Sequence, residues 1–166
     1  MLDGTKNELE QLMSLYKNDT EGLQAKRNQE KTEQEKYNQD FEKLKKEIIW
    51  PVIVEVGNYL TDYGHDYHIT EEKEFVDATA TYHPSFIALN IYPSTLEEEF
   101  KKPESAPFIS FIANPYQKKI GLSVSTMIPG EGGYVGSHGE FDMSQITQEM
   151  IEKEIVNVLK NTLILH

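Results

Sequence analysis

The chain of 166 residues contains no cysteine. Disulfide bonds, thiolate metal ligands and a cysteine nucleophile are therefore excluded. Arginine is almost as scarce, since Arg27 is the single example. The guanidinium group of arginine is the side-chain group best suited to paired hydrogen bonds with phosphates or bases. We therefore expect no direct binding of nucleic acid.

Long apolar runs are also missing. The longest, residues 48–54, is far shorter than the roughly 20 residues that a membrane-spanning helix needs. The N-terminus has no basic region followed by an apolar stretch, which a secretory signal would show. We expect a cytoplasmic protein without membrane contact, and no motif in the chain predicts a cofactor.

Charge is distributed unevenly along the chain. Residues 1–50 hold eleven acidic and nine basic residues, a net charge of −2, so that the remaining residues carry −10 of the total of −12. An acidic region of this kind repels phosphate backbones and favours basic protein partners or simple solubility.

The first 47 residues have the composition of a polar helical arm. Thr5 followed by Glu8 is a capping-box pattern, which predicts a helix that begins near residue 5. Apolar residues then recur at coiled-coil spacing and gather near both ends of the arm. We predict contacts with a second copy or another partner through the following residues: Leu9, Leu12, Met13, Tyr16, Leu23, Tyr37, Phe41 and Leu44.

Two arrangements of the arm are open. It is either one long helix or a helix broken near residues 17–22, where Asn18 with Glu21 can start a new helix and Gly22 weakens a continuous one. A broken arm can fold back as a hairpin. Residues 24–36 contain only one apolar residue, Ala25, a composition typical of a solvated spacer.

Residues 48–166 read as an acidic α+β head domain. Helical spacing follows Pro51, with Gly64 placed to end that helix in a left-handed conformation. Alternating patterns then predict strands at residues 67–69, 76–82, 86–92, 107–113 and 120–126, followed by a helix over residues 144–163. The short links predict an antiparallel meander of four to five strands packed on helices in two layers.

This order of coiled arm, helix, meander and closing helix resembles the layout of kinetochore-type RWD proteins. The resemblance lies in element order, because the pair Tyr92 and Pro93 comes earlier relative to the strands than the Tyr-Pro motif of that family.

Candidate chemistry is sparse in the head. His65 and His68 are weak candidates for metal ligands, since a spacing of three places them on opposite faces of a strand. A glycine-rich segment at residues 129–139 predicts a bulged hairpin that exposes Tyr134 as a contact residue, since exposed loops often carry binding contacts. Ser137 and His138 are adjacent, which hinders convergence of their side chains, and no catalytic set is evident.

The sequence therefore favours a non-enzymatic interaction or oligomerisation protein, a homodimer or a complex with another protein through the arm. One alternative is an acidic inhibitor or decoy that occupies a basic site on a partner protein. Another is a head that binds a small ligand or metal near the glycine-rich loop, using Tyr134 and His138 together with His65 and His68.

Overall fold

The computed structural model describes residues 1–163 and divides into two compact units. The first unit is Met1–Lys36, and the second begins at Tyr37. This boundary lies eleven residues before the predicted one after residue 47, because residues from Tyr37 onward pack within the head. Residues 164–166, the end of the predicted head, lie outside the described residues.

Helix α1 runs without interruption over Asp3–Leu44. The prediction of one long helix is confirmed, and the alternative break near residues 17–22 is wrong. Gly22 costs only about 1 kcal/mol relative to alanine, while the surrounding Glu, Lys, Gln and Leu residues favour helix. The predicted capping box is also wrong, because the helix already includes Asp3 and so places Thr5 inside its first turns.

A π-helical turn, Lys45–Ile49, joins α1 to helix α2, Trp50–Thr61. Pro51 occupies the first turn of α2 as predicted, where its missing N–H and fixed φ disrupt the helix least. Gly64 follows with a φ of 86°, which confirms the left-handed ending. Within α2, Gly57 allows close packing, because a Cβ atom there would lie 2.6 Å from the ring of Tyr67.

The predicted α+β fold is confirmed. Five antiparallel strands form one sheet in the order β1, β4, β5, β6, β7, with bounds Asp66–Glu72, Phe86–Tyr92, Phe108–Asn114, Lys119–Ser125 and Val135–Phe141. Helix α3 covers Gln148–Leu163, beginning four residues later than predicted, after a 3-10 turn at Met143–Gln145.

Alternate side chains of the central strands form the core with the helices. Leu89, Phe111 and Leu122 are at most 1% exposed on this face of the sheet. The helices contribute fully or almost fully buried residues to the same cluster: Phe41, Ile49, Ile53, Ile151 and Ile155.

The predicted strand over residues 76–82 is wrong. Two-residue strands, β2 at Phe75–Val76 and β3 at Tyr82–His83, flank a tight turn instead. The Asp77 carboxylate accepts hydrogen bonds from the backbone N–H groups of Thr79 and Thr81, at 2.8 and 3.0 Å. Hydrogen bonds from the Thr79 hydroxyl and His83 hold the pKa of Asp77 well below its usual range. The Asp77 side chain thus takes backbone N–H groups that a continuing strand would use for pairing, and the strand stops at Val76.

Tyr37 places a polar atom inside the core of the head. Its hydroxyl is buried and has no hydrogen-bond partner within residues 1–163. Burial, with a smaller contribution from the negative charge of Asp142, raises the pKa of Tyr37 to about 12. The hydroxyl therefore costs free energy in the folded state, most of all when it ionises.

We expect Tyr37→Phe to leave the free energy of unfolding at neutral pH unchanged or to raise it by about 1 kcal/mol, because an unpaired buried hydroxyl is removed. In the unchanged protein, stability should fall above pH 10, because the unfolded chain releases the Tyr37 proton there while the folded chain keeps it to about 12. The variant should lose less stability over this interval. Urea unfolding at stepped pH measures both effects.

Tyr116→Phe is the control, because Tyr116 is 63% exposed. A loss of more than about 1 kcal/mol in Tyr37→Phe at neutral pH would show that the hydroxyl has a partner in solution.

Candidate functional site

The first candidate site is a stripe of exposed apolar side chains on the first unit, which we call the arm stripe. Its members are 42 to 69% exposed: Leu9, Leu12, Met13, Tyr16 and Leu23. Steps of three, four and seven residues place them on one face of α1. All of residues 1–33 are exposed, so nothing within this unit covers the stripe.

The other three predicted interaction residues lie in the core of the head. Phe41 is fully buried and Tyr37 is 9% exposed, while Leu44 is partly buried against the same cluster. Their apolar surface is already covered by the chain itself. Helical spacing identified the correct face of α1, but it could not reveal what packs on that face. The interaction proposal therefore depends on the arm stripe.

The second candidate site is a cavity of about 750 Å³ between strand β6, the glycine-rich loop and the last turns of α3. Its lining combines apolar, amide, hydroxyl, carboxylate and aromatic groups: Val124, Thr126, Ile128, Glu131, Gly132, Gly133, Tyr134, His138, Asn157, Val158, Asn161 and Thr162. The structure thus brings together the predicted Tyr134 and His138. The contribution of α3 was not predicted, since the sequence does not show which strand this helix covers.

Glycine residues shape the loop that bounds this cavity. Gly133 has a φ of 142°, and a Cβ atom there would lie 2.6 Å from the backbone oxygen of Thr126. Tyr134 closes the hairpin, because its N–H donates to the Thr126 hydroxyl at 2.9 Å and its carbonyl accepts from the Thr126 N–H at 2.8 Å. The Tyr134 side chain is 53% exposed, as predicted for a hairpin at this position.

A β-bulge in β7 directs His138 toward α3. The pairing of β6 with β7 shifts between Gly121 and Ser123, so that His138 and Gly139 together lie opposite a single residue of β6. Gly139 adopts a φ of 121°, which suits a bulge. As a result, His138 Nδ1 lies 3.3 Å from Glu154 Oε2 on α3.

Two polar side chains of α3 in the lining donate hydrogen bonds within the helix. The Asn161 side-chain amide donates to the Asn157 carbonyl at 2.8 Å, and the Thr162 hydroxyl donates to the Val158 carbonyl at 2.7 Å. The cavity lining contains no lysine or arginine. Glu131 is its one acidic residue, so that the charged side chain of the lining is negative.

His65 and His68 lie far from this cavity. His65 directly precedes β1 and His68 lies within it, whereas His138 belongs to β7. These are the two outer strands of the sheet. Four strand spacings of about 4.8 Å put them roughly 19 Å apart across the sheet. The hypothesis of one pocket using both sets of histidines is therefore wrong.

The described residues 1–163 do not gather a set of metal ligands around this pair of histidines. His65 Nδ1 accepts a hydrogen bond from the Ser94 N–H at 3.0 Å. Among residues 1–163, no group of three or more His, Asp and Glu side chains is arranged to hold a metal ion.

Comparison with known proteins gives no relative for this chain. No protein-family model matches it, and no curated protein or solved structure shows a significant match. The resemblance in element order to RWD proteins is therefore not supported by any of these comparisons. Within the described part of the chain, no helix combines the length and apolar character needed to cross a membrane.

We expect Gly133→Ala to destabilise the head by about 1 to 3 kcal/mol, because the new methyl group meets Thr126 and the backbone conformation favours glycine. Gly121→Ala on neighbouring β6 is the matched control, since its nearest neighbour is an ordinary contact at 3.8 Å. Thermal and urea unfolding of both variants measures the difference. Equal stability of the two would contradict the loop geometry.

Proposed function

We propose that the protein is a non-enzymatic interaction protein that self-associates through the arm stripe. The observation that carries this proposal is the exposure of five large apolar side chains on one face of α1, in a unit that contains nothing to cover them. Clustered apolar exposure of this kind is characteristic of interaction surfaces, whereas scattered exposure is ordinary.

The energetics of an uncovered helix support association. Isolated helices gain little stability in water, and most helical stability in proteins comes from packing of an apolar face. Full burial of a side chain such as Leu12 contributes about 1.5 to 3 kcal/mol, and Leu12 is still 56% exposed. Burial of the whole stripe is therefore a substantial driving force for association.

A second copy of the chain is the partner that fits best. Residues 1–50 carry a net charge of only −2, with acidic and basic residues interspersed, so that two copies can align with little repulsion. Each copy presents the same stripe, which a twofold interface requires. The spacing of Leu9, Tyr16 and Leu23 by seven residues suits a coiled coil.

Light scattering on the full chain tests this function. We expect a mass twice that of the 19.1 kDa chain, reduced to that of the monomer by Leu12→Glu, because the dimer would have to bury a carboxylate. Leu15→Glu is the matched control, because Leu15 is 61% exposed but lies about 100° around the helix from the centre of the stripe. The control should remain dimeric.

Two results would reject self-association through the stripe. One is a monomeric mass for the unchanged chain at about 100 μM, a concentration at which even weak specific dimers are populated. The other is an equal effect of the two substitutions on the measured mass.

A further inference from the structure

We propose that the cavity beside α3 binds a small organic ammonium ion, an amine that carries one ring or a short aliphatic body. The cavity lies entirely within the second unit and shares no residue with the arm stripe. Ligand binding here is therefore independent of self-association, and the two proposals can fail separately.

Hydrogen-bond acceptors in the cavity lining suit an ammonium ion. An ammonium group donates hydrogen bonds and accepts none, so it needs a site that offers acceptors. One N–H of the Asn161 amide and the hydroxyl proton of Thr162 donate to helix carbonyls, and the side-chain oxygens of both residues remain as acceptors. Glu131 adds a carboxylate to the lining.

His138 extends the same pattern. Its Nδ1 lies 3.3 Å from Glu154 Oε2, an oxygen that is buried within the described residues and has no hydrogen bond. His138 itself lines the cavity, so that the Glu154 carboxylate lies directly behind the lining. The Glu154 side chain is only 16% exposed, so solvent screens its charge weakly.

The charges around the cavity favour cationic ligands over anionic ligands. The lining contains no lysine or arginine, and the residues of α3 that line it occupy the C-terminal turns of that helix, where the backbone dipole favours positive charge. Phosphates and carboxylates would meet Glu131 without a lysine or arginine to compensate its charge. An anionic ligand is therefore disfavoured.

Apolar groups complete the site. Val124, Ile128 and Val158 line the cavity together with Tyr134. An aromatic face attracts a cation, and aliphatic side chains suit a hydrocarbon body. A volume of about 750 Å³ is large enough for a ring-containing amine.

Calorimetric titration of the full chain with three probes of matched shape tests the proposal. The probes are 2-phenylethylamine, 2-phenylethanol and 3-phenylpropionate, which differ in charge. We expect the amine to bind at least about tenfold more tightly than the alcohol, and the carboxylate to give no binding heat. The side-chain amide signals of Asn157 and Asn161 should shift in nuclear magnetic resonance spectra when the amine is added.

Glu131→Gln should weaken amine binding by about fivefold or more, because it removes the carboxylate of the lining. Glu140→Gln is the matched control. It makes the same change of charge on β7, at a residue that pairs with Gly121 and does not line the cavity. Amine affinity should be unchanged in this control.

Three outcomes would overturn the proposal. The first is no heat and no amide shift with the amine up to about 10 mM. The second is binding of the alcohol or the carboxylate as tight as that of the amine. The third is equal weakening by Glu131→Gln and Glu140→Gln, which would assign the attraction to the overall charge of the head.

Discussion

Burial of one apolar face of a five-stranded sheet is the constraint on which the rest of the structure depends. The final turns of α1 supply part of that cover, through Tyr37, Phe41 and, after the π turn, Ile49. Starting a helix costs more than lengthening one, and these residues fix a helical turn by tertiary packing. Residues 3–36 then extend an established helix, which explains how a polar and uncovered sequence forms one.

The two candidate sites use different physical effects. The arm stripe offers apolar surface on a nearly neutral segment, whereas the cavity offers acceptors within a region that carries −10 of the net charge. The field of such a region attracts cations over distances set by ionic strength, before any contact forms. The proposed association of copies and the proposed capture of a charged small molecule would therefore depend differently on salt.

Periodicity predicted the class of the fold, the long helix and the face of α1 that carries apolar residues. It could not distinguish a partner from the chain's own sheet, which is why Phe41 was grouped with Leu12. It also failed where side chains compete with the backbone, as Asp77 does in the turn after β2. The distance between His68 and His138 depends on the order of the strands in the sheet. The direction of the His138 side chain depends on a β-bulge. A single sequence reveals neither the strand order nor the bulge.

The bulge in β7 has a consequence for the sheet as a whole. An outer strand with a regular ladder of free N–H and C=O groups is a template for addition of another strand, and thus for fibre growth. In β7 the extra residue at His138 and Gly139 interrupts that ladder. On the opposite edge of the sheet, β1 carries the acidic residues Asp66, Glu71 and Glu72, and charged side chains discourage the addition of a strand. Heads held at high local concentration would therefore resist merging into a continuous sheet.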